Sequence, residues 1–310
     1  MARLSLSLRP CNVNTERVLA GVLFMCIAST VFPLLNIAVQ YLTAEYSVIQ
    51  LVWARYVGHL AYILAVLIPT RGLRFVRTNR PKIQLLRSAL LVTGTFLYFT
   101  ALVYIPVVTA AAVNFTTPLM IVALSIPILG ERVGFRRWSA VALGFVGAVI
   151  IIRPGLEGAH WAAFLVLGCA ACNAFYQILT RSLAGHDSAE TSIFYTALVP
   201  SALVTLLLPF DARMPGSGLD WFLFSTLGLI GGLGHYFVIK AYENAEASII
   251  SPLSYVQLIG ATVLGYIVFA DFPDGWTWLG AAIIVASGIY IMRRETIRRR
   301  EARQVGDGRR

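Results

Sequence analysis

Apolar residues along this chain come in blocks of about twenty, separated by short polar stretches and without period-two alternation. The first three run from Val18 to about Leu42, from Val48 to Pro69 and from Leu85 to Tyr104. Seven more cover about 108–129, 138–152, 161–180, 191–209, 219–239, 247–270 and 276–292. Each approaches the roughly 20 residues that carry a helix across the hydrocarbon core. A membrane barrel would need shorter, alternating segments. The pattern predicts an all-α integral membrane protein with ten transmembrane helices. Pro and Gly mark the boundaries, as at Pro69, Pro81, Pro106, Arg153-Pro154-Gly155, Pro209, Met214-Pro215-Gly216 and Pro273.

Composition agrees, with 58% of residues hydrophobic and 13% charged, about half the charged share of a soluble domain. The net charge of +10 would suggest nucleic acid in a soluble chain, but its placement points to a bilayer. With the N-terminus in the cytoplasm, 22 of 25 basic residues fall on one side. Arg3, Arg9 and Arg17 lie in the first tail, and Arg71, Arg74, Arg77, Arg80, Lys82 and Arg87 in the 2–3 loop. Arg132, Arg136 and Arg137 follow in the 4–5 loop, then Arg181, Lys240 and eight arginines from Arg293 onward. Arg153 and Arg213 fall on the other side, and Arg55 within a helix. The positive-inside rule therefore predicts a multi-pass protein of the cell inner membrane with both termini cytoplasmic. The basic C-terminal tail is read as an anchor at anionic headgroups. The first apolar block is too long for a signal peptide and lacks a small-residue cleavage site. Four cysteines make no disulfide framework, and Cys169-Ala170-Ala171-Cys172 lies inside the sixth block, where small residues serve helix packing.

An internal repeat is visible when the chain is slid along itself so that Gly94 falls on Gly234. The same offset brings Ala101 onto Ala241, Glu131 onto Asp271, Trp138 onto Trp278, Ala142 onto Ala282 and Arg153 onto Arg293. Boundary residues and helix spacing thus fall into register together. The expected organisation is a tail over 1–17, a five-helix repeat over 18–152, a second over 153–292 and a basic tail over 293–310. Five is odd, so the two repeats must be inverted, a layout typical of secondary transporters.

Ala101-Leu102, Thr109-Ala110-Ala111-Ala112, Pro118, Gly130-Glu131-Arg132, Gly144 and Gly147 together resemble the ten-helix EamA branch of the drug/metabolite transporter superfamily. The likeness spans about residues 17–292. The second half departs from it, with Ala270-Asp271-Phe272 at the turn and Pro252 six positions before the place matching Pro118. The resemblance implies a basket of helices 1–4 and 6–9 around a central cavity, with helices 5 and 10 outside. It also implies alternating access without a nucleotide motor, on substrates that include amino acids, vitamins, S-adenosylmethionine and nucleotide-derived compounds.

An ionisable group in hydrocarbon needs a reason to be there. Arg55 lies eight residues beyond Ser47, about 12 Å into its helix, with His59 one turn on and Gln50 and Tyr62 near that face. It is read as a cationic wall for a carboxylate, phosphate or polar ring, with a purely structural arginine as the alternative. Further candidates for substrate binding are Asn36 and Gln40 on helix 1, Tyr98 on helix 3, and Asn114 with Thr117 on helix 4. Asn173, Tyr176 and Gln177 on helix 6, His235 and Tyr236 on helix 8, and Ser251, Ser254, Tyr255 and Gln257 on helix 9 complete the set. Such amides and hydroxyls also bond across helices with no ligand present. Trp53 and Tyr56 flank Arg55 and suit stacking on a flat substrate or core packing. Gly228/Gly232 and Ala261/Gly265 are spaced for close helix approach, and Pro33, Pro118 and Pro127 for kinks that free carbonyls toward a cavity.

No Asp or Glu falls in the middle of an apolar block, so any proton coupling would have to use His59 or His235. No Walker motif, His-Glu-x-x-His cluster or Gly-x-Ser-x-Gly elbow is present. The chain is therefore read as a non-enzyme with no cofactor and no metal. Its expected partners are a small-molecule substrate and the lipid bilayer, not nucleic acid, with a homodimer left open. The expected function is secondary transport of a small polar or amphipathic metabolite, amino-acid-, vitamin- or nucleoside-like. A membrane enzyme acting on a lipid or isoprenoid would need clustered intramembrane acids or an activated nucleophile. A non-transporting sensor or assembly factor would need a signalling domain.

Overall fold

The computed structural model is all-helical and describes residues 15–129, 135–153, 161–183, 185–208, 212–245 and 250–307. Gly130-Glu131-Arg132, Pro154-Gly155, Pro209, Arg3 and Arg9 lie outside the described residues. The first three spans are α1 (Thr15–Leu42), α2 (Val48–Arg71) and α3 (Pro81–Leu102). The fourth is split into α4 (Val107–Asn114) and α5 (Thr117–Leu129), and the fifth is α6 (Phe135–Ile152). Spans six to eight are α7 (Ala162–Leu183), α8 (Ala189–Thr205) and α9 (Gly218–Asn244). The ninth joins a 3₁₀ turn, Ser251–Tyr255, to α10 (Val256–Phe269), and the tenth is α11 (Gly275–Asp307), which carries the helix well past the last apolar block.

Among the described residues, six stretches are long and apolar enough to cross a membrane by length and composition, one of them, Val107–Leu124, running through the break of the fourth span. Leu19, Leu23, Ile27, Leu34 and Tyr41 stand exposed along α1, and Trp161, Trp221 and Trp276 stand exposed where spans begin. An apolar surface of this extent belongs against lipid, with the tryptophans at headgroup level. Ten spans bring Thr15 and the end of α11 to one face, the termini face.

The broken fourth span has a simple cause. Pro118 lacks an N–H and its ring collides with the carbonyl four residues back, which is Asn114, where α4 stops. The ninth span breaks at the equivalent level although its proline has moved. Pro252 lies at the start of the 3₁₀ turn, and α10 begins only after Tyr255, the residue that the internal repeat sets against Phe115. The Phe115 and Tyr255 rings meet edge to face, centroids 5.3 Å apart. Packing follows the same repeat, which relates span n to span n + 5. α1 packs on α9 as α7 packs on α3, while α2 on α8 and α6 on α11 are their own counterparts.

Glycine permits the tightest crossings. A Cβ at Gly228 of α9 would lie 2.4 Å from the Gly58 carbonyl carbon of α2. One at Gly280 of α11 would lie 2.5 Å from the Gly147 oxygen of α6. The Gly228/Gly232 spacing is thus a packing device, as the small-residue pattern suggested.

Arg87 departs from its expected place. Pro81 opens α3 as its first residue, so Arg87 lies about two turns inside the span rather than in the 2–3 loop. It is fully buried. Nη1 donates to Thr180 Oγ1 at 3.1 Å, and Nη2 to the Ser192 carbonyl and to Thr196 Oγ1. The guanidinium also lies over the Tyr176 ring at 5.1 Å.

Both faces are tied across the halves. On the termini face Asp187 accepts from Thr78, the Asn79 N–H at 2.8 Å and Gln84 at 2.9 Å. Burial alone would raise the Asp187 carboxyl, but these bonds outweigh it and hold it below its ordinary value. On the opposite face Gln50 exchanges two hydrogen bonds with the backbone of Arg213, and the Tyr46 hydroxyl meets Asp220 at 2.9 Å.

Candidate functional site

A cavity of about 940 Å³, counting space open to the outside, lies between the two halves. Its walls come from α1, α2, α3, the break of span four, α7, α9 and the start of span nine. Spans five, seven and ten contribute no lining residue among those described. The broken helices supply equivalent positions. Asn114 and Thr117 line one side, and their counterparts in the repeat, Ser254 and Gln257, line the other. Pro33 lies inside α1 and leaves the carbonyl of Ser29, four residues back, outside the helical ladder. Ser29 lines the cavity and its hydroxyl donates to the Leu253 carbonyl at 3.3 Å.

Arg55 is the one cation of the described lining and is 6% exposed. Nη1 donates to Thr95 Oγ1 at 3.0 Å and Nη2 to His235 Nε2 at 2.8 Å. A guanidinium cannot accept, so in this geometry His235 Nε2 is the acceptor and the neutral ring carries its proton on Nδ1. That nitrogen faces the Tyr176 hydroxyl at 3.5 Å. Thr95 donates in turn to the Leu91 carbonyl at 2.9 Å, which leaves its lone pairs to Arg55 and the Tyr56 hydroxyl. The guanidinium lies 5.1 Å from the Tyr56 ring and 5.4 Å from that of Phe99. Gly231 makes room for it, since a Cβ there would sit 3.1 Å from Nε.

Eleven of the candidate residues meet in this cavity: Arg55, Asn36, Tyr98, Asn114, Thr117, Asn173, Tyr176, Gln177, His235, Ser254 and Gln257. Four of the others serve elsewhere. Gln40 accepts from the Val107 N–H at 3.0 Å and so caps α4. Trp53 donates to Thr205 at 3.2 Å. His59 packs its ring on Gly232, with Nε2 unpartnered among the described residues. Tyr255 meets Phe115 edge to face and sets its hydroxyl against Gly288. Gln50, also read as near the Arg55 face, is bonded to Arg213 instead.

Thr95, Ser29, Phe32 and Phe99 line the cavity but did not stand out in the sequence. One signal was available for Thr95. The repeat sets it against His235, beside the Gly94/Gly234 match, and both residues hold the same guanidinium.

The chain matches the model of the EamA-like transporter family twice, over residues 19–153 and 160–293. A riboflavin transporter of Rhizobium johnstonii is 32% identical over 93% of this chain and 96% of its own length. One from Vibrio cholerae is 33% identical over 93% and 97%. An S-adenosylmethionine uptake transporter of Rickettsia felis is 29% identical over 71% and 75%. A solved crystal structure aligns over 88% of this chain and 96% of its own with a TM-score of 0.63 at 20% identity, which shows the shared fold alone. With both halves matched and relatives similar along nearly its whole length, the chain belongs to the EamA-like transporter family and is a membrane transporter of small metabolites, not an enzyme.

Proposed function

We propose that the chamber is the cargo site and that the cargo is a flat, polar, vitamin-like heterocycle, riboflavin being the first candidate. The lining carries this reading. It combines the amides of Asn36, Asn114, Asn173, Gln177 and Gln257 with the rings of Phe32, Tyr98, Phe99, Phe115 and Tyr176. Aromatic faces suit a flat ring system, and amides suit its carbonyl and N–H edge. S-adenosylmethionine suits the chamber less well. Arg55 could take its carboxylate, but the molecule also brings an ammonium and a sulfonium, for which the described lining offers no carboxylate, and these repel the guanidinium strongly away from water.

The test is counterflow in proteoliposomes. Labelled riboflavin should exchange against internal riboflavin, with S-adenosylmethionine failing to compete. Exchange of S-adenosylmethionine with none of riboflavin would reverse the assignment.

We further propose that the termini face is cytoplasmic and that 18–152 and 153–292 act as the two inverted units. With Arg87 taken inside the span, the sequence still assigns to that side 21 of its 22 basic residues, against Arg153 and Arg213 opposite. Reporter fusions after Arg80, Arg137 and Arg299 should read cytoplasmic, and those after Glu45, Gly155, Gly216 and Asp274 external. A reversed pattern beyond Gly155 would sink the inverted arrangement.

A further inference from the structure

The chamber holds a positive charge with nothing in its described lining to balance it. Arg55 is buried, and both its hydrogen-bond partners, Thr95 and His235, are neutral in this geometry. They come one from each half of the chain, so the guanidinium is pinned between the halves. No described carboxylate lines the cavity or lies in the middle of a span. Holding an unpaired cation in a low-dielectric interior is costly, and an anion at hydrogen-bond distance offsets the cost.

The remaining donors point the same way. Two of the five guanidinium N–H groups go to Thr95 and His235, leaving three. Asn114 Oδ1 is taken by the Thr117 hydroxyl at 3.3 Å, and Gln177 Oε1 by the Tyr242 hydroxyl. Both amides therefore keep their NH₂ ends for whatever enters.

We propose that Arg55 is an anion site, and that one anionic group enters beside its guanidinium in each transport cycle. The inference rests on the chamber being the transport path, not on riboflavin being the cargo. The charge has two possible sources, a carboxylate or phosphate on the cargo itself or a small free anion that travels with a neutral cargo.

Thermal unfolding of the purified protein reads the site without any transport assay. The background salt should be a bulky sulfonate, with chloride, inorganic phosphate, riboflavin and riboflavin 5′-phosphate titrated in. At least one of the three anions should raise Tm saturably in the wild type. In Arg55→Gln, which keeps donors but loses the charge, the apparent Kd should weaken tenfold or more. Arg55→Lys should retain part of the response to inorganic anions. A response to riboflavin 5′-phosphate alone places the charge on the cargo. A response to chloride or phosphate marks a free anion, and riboflavin counterflow should then need that anion. No anion-dependent shift in the wild type, or an equal shift in Arg55→Gln, overturns the proposal. If Arg55→Gln does not fold, wild-type flux in liposomes decides: flux indifferent to both chloride and membrane voltage overturns it too. Failure of riboflavin as cargo leaves the unfolding result readable.

Discussion

Arg55→Ala should abolish counterflow while the protein still accumulates in the membrane at near wild-type level. The guanidinium sits at the chamber wall with donors to spare, so with the chamber as the proposed cargo site its loss would remove contacts to cargo. Charge-assisted hydrogen bonds contribute about 1.5–3 kcal/mol each, so one lost bond already slows initial exchange by roughly tenfold to a hundredfold. Insertion should not suffer, because the charge itself opposes transfer into the bilayer. Thr95 and the neighbouring tyrosine hydroxyl keep each other as partners, and only His235 Nε2 is left without its donor. Arg55→Lys retains the charge but not the planar fork that reaches Thr95 and His235 together, so it should exchange at an intermediate rate. The measurement is initial exchange rate per unit of protein in the vesicles. Normal exchange by Arg55→Ala across the cargo panel would remove the chamber from the transport path. Loss of the protein from the membrane would instead make Arg55 a structural residue.

Arg55 was legible in the sequence because it breaks an apolar block at mid-depth, and nothing but a buried partner or a ligand accounts for that. The amides on helices 1, 4 and 6 were legible for the same reason. His59 was not placed correctly, and helix geometry explains why. Four residues make slightly more than one full turn, so His59 does not stand directly above Arg55 but is rotated past it. In addition, α2 crosses α9 at the Gly58–Gly228 contact, which turns His59 onto Gly232 and away from the cavity. Gln40 and Trp53 are polar residues occupied by caps and cross-helix bonds, which a single sequence cannot distinguish from open ones. The break of span four could be read from Pro118, but that of span nine could not, because Pro252 sits early in the repeat and a 3₁₀ turn absorbs the difference. Arg87 was hidden by its neighbours. A run of basic residues from Arg71 to Lys82 reads as one loop, whereas Pro81 is the first residue of a helix that takes Arg87 inside.

The two buried arginines should therefore give opposite signatures. Arg87 does not line the cavity; it joins α3 to α7 through Thr180 and to α8 through Ser192 and Thr196. Arg87→Ala takes the donor away from three buried oxygens and leaves a void under the Tyr176 ring. An unsatisfied buried acceptor costs about 1–3 kcal/mol, and truncating a large buried side chain adds a cavity cost of similar order. Against a total stability of about 5–15 kcal/mol, the change should cut membrane abundance severely and lower Tm in detergent by many degrees. Arg87→Lys should recover part of the loss, since an ammonium reaches some of the three oxygens but cannot fork between helices. Whatever protein survives should exchange cargo at a rate per molecule far closer to wild type than Arg55→Ala gives, because Arg87 itself does not line the chamber and reaches it only through the back of the Tyr176 ring. Normal abundance with lost exchange would show that Arg87 acts on the cargo path, and would place a second cation beside Arg55 in the transport mechanism.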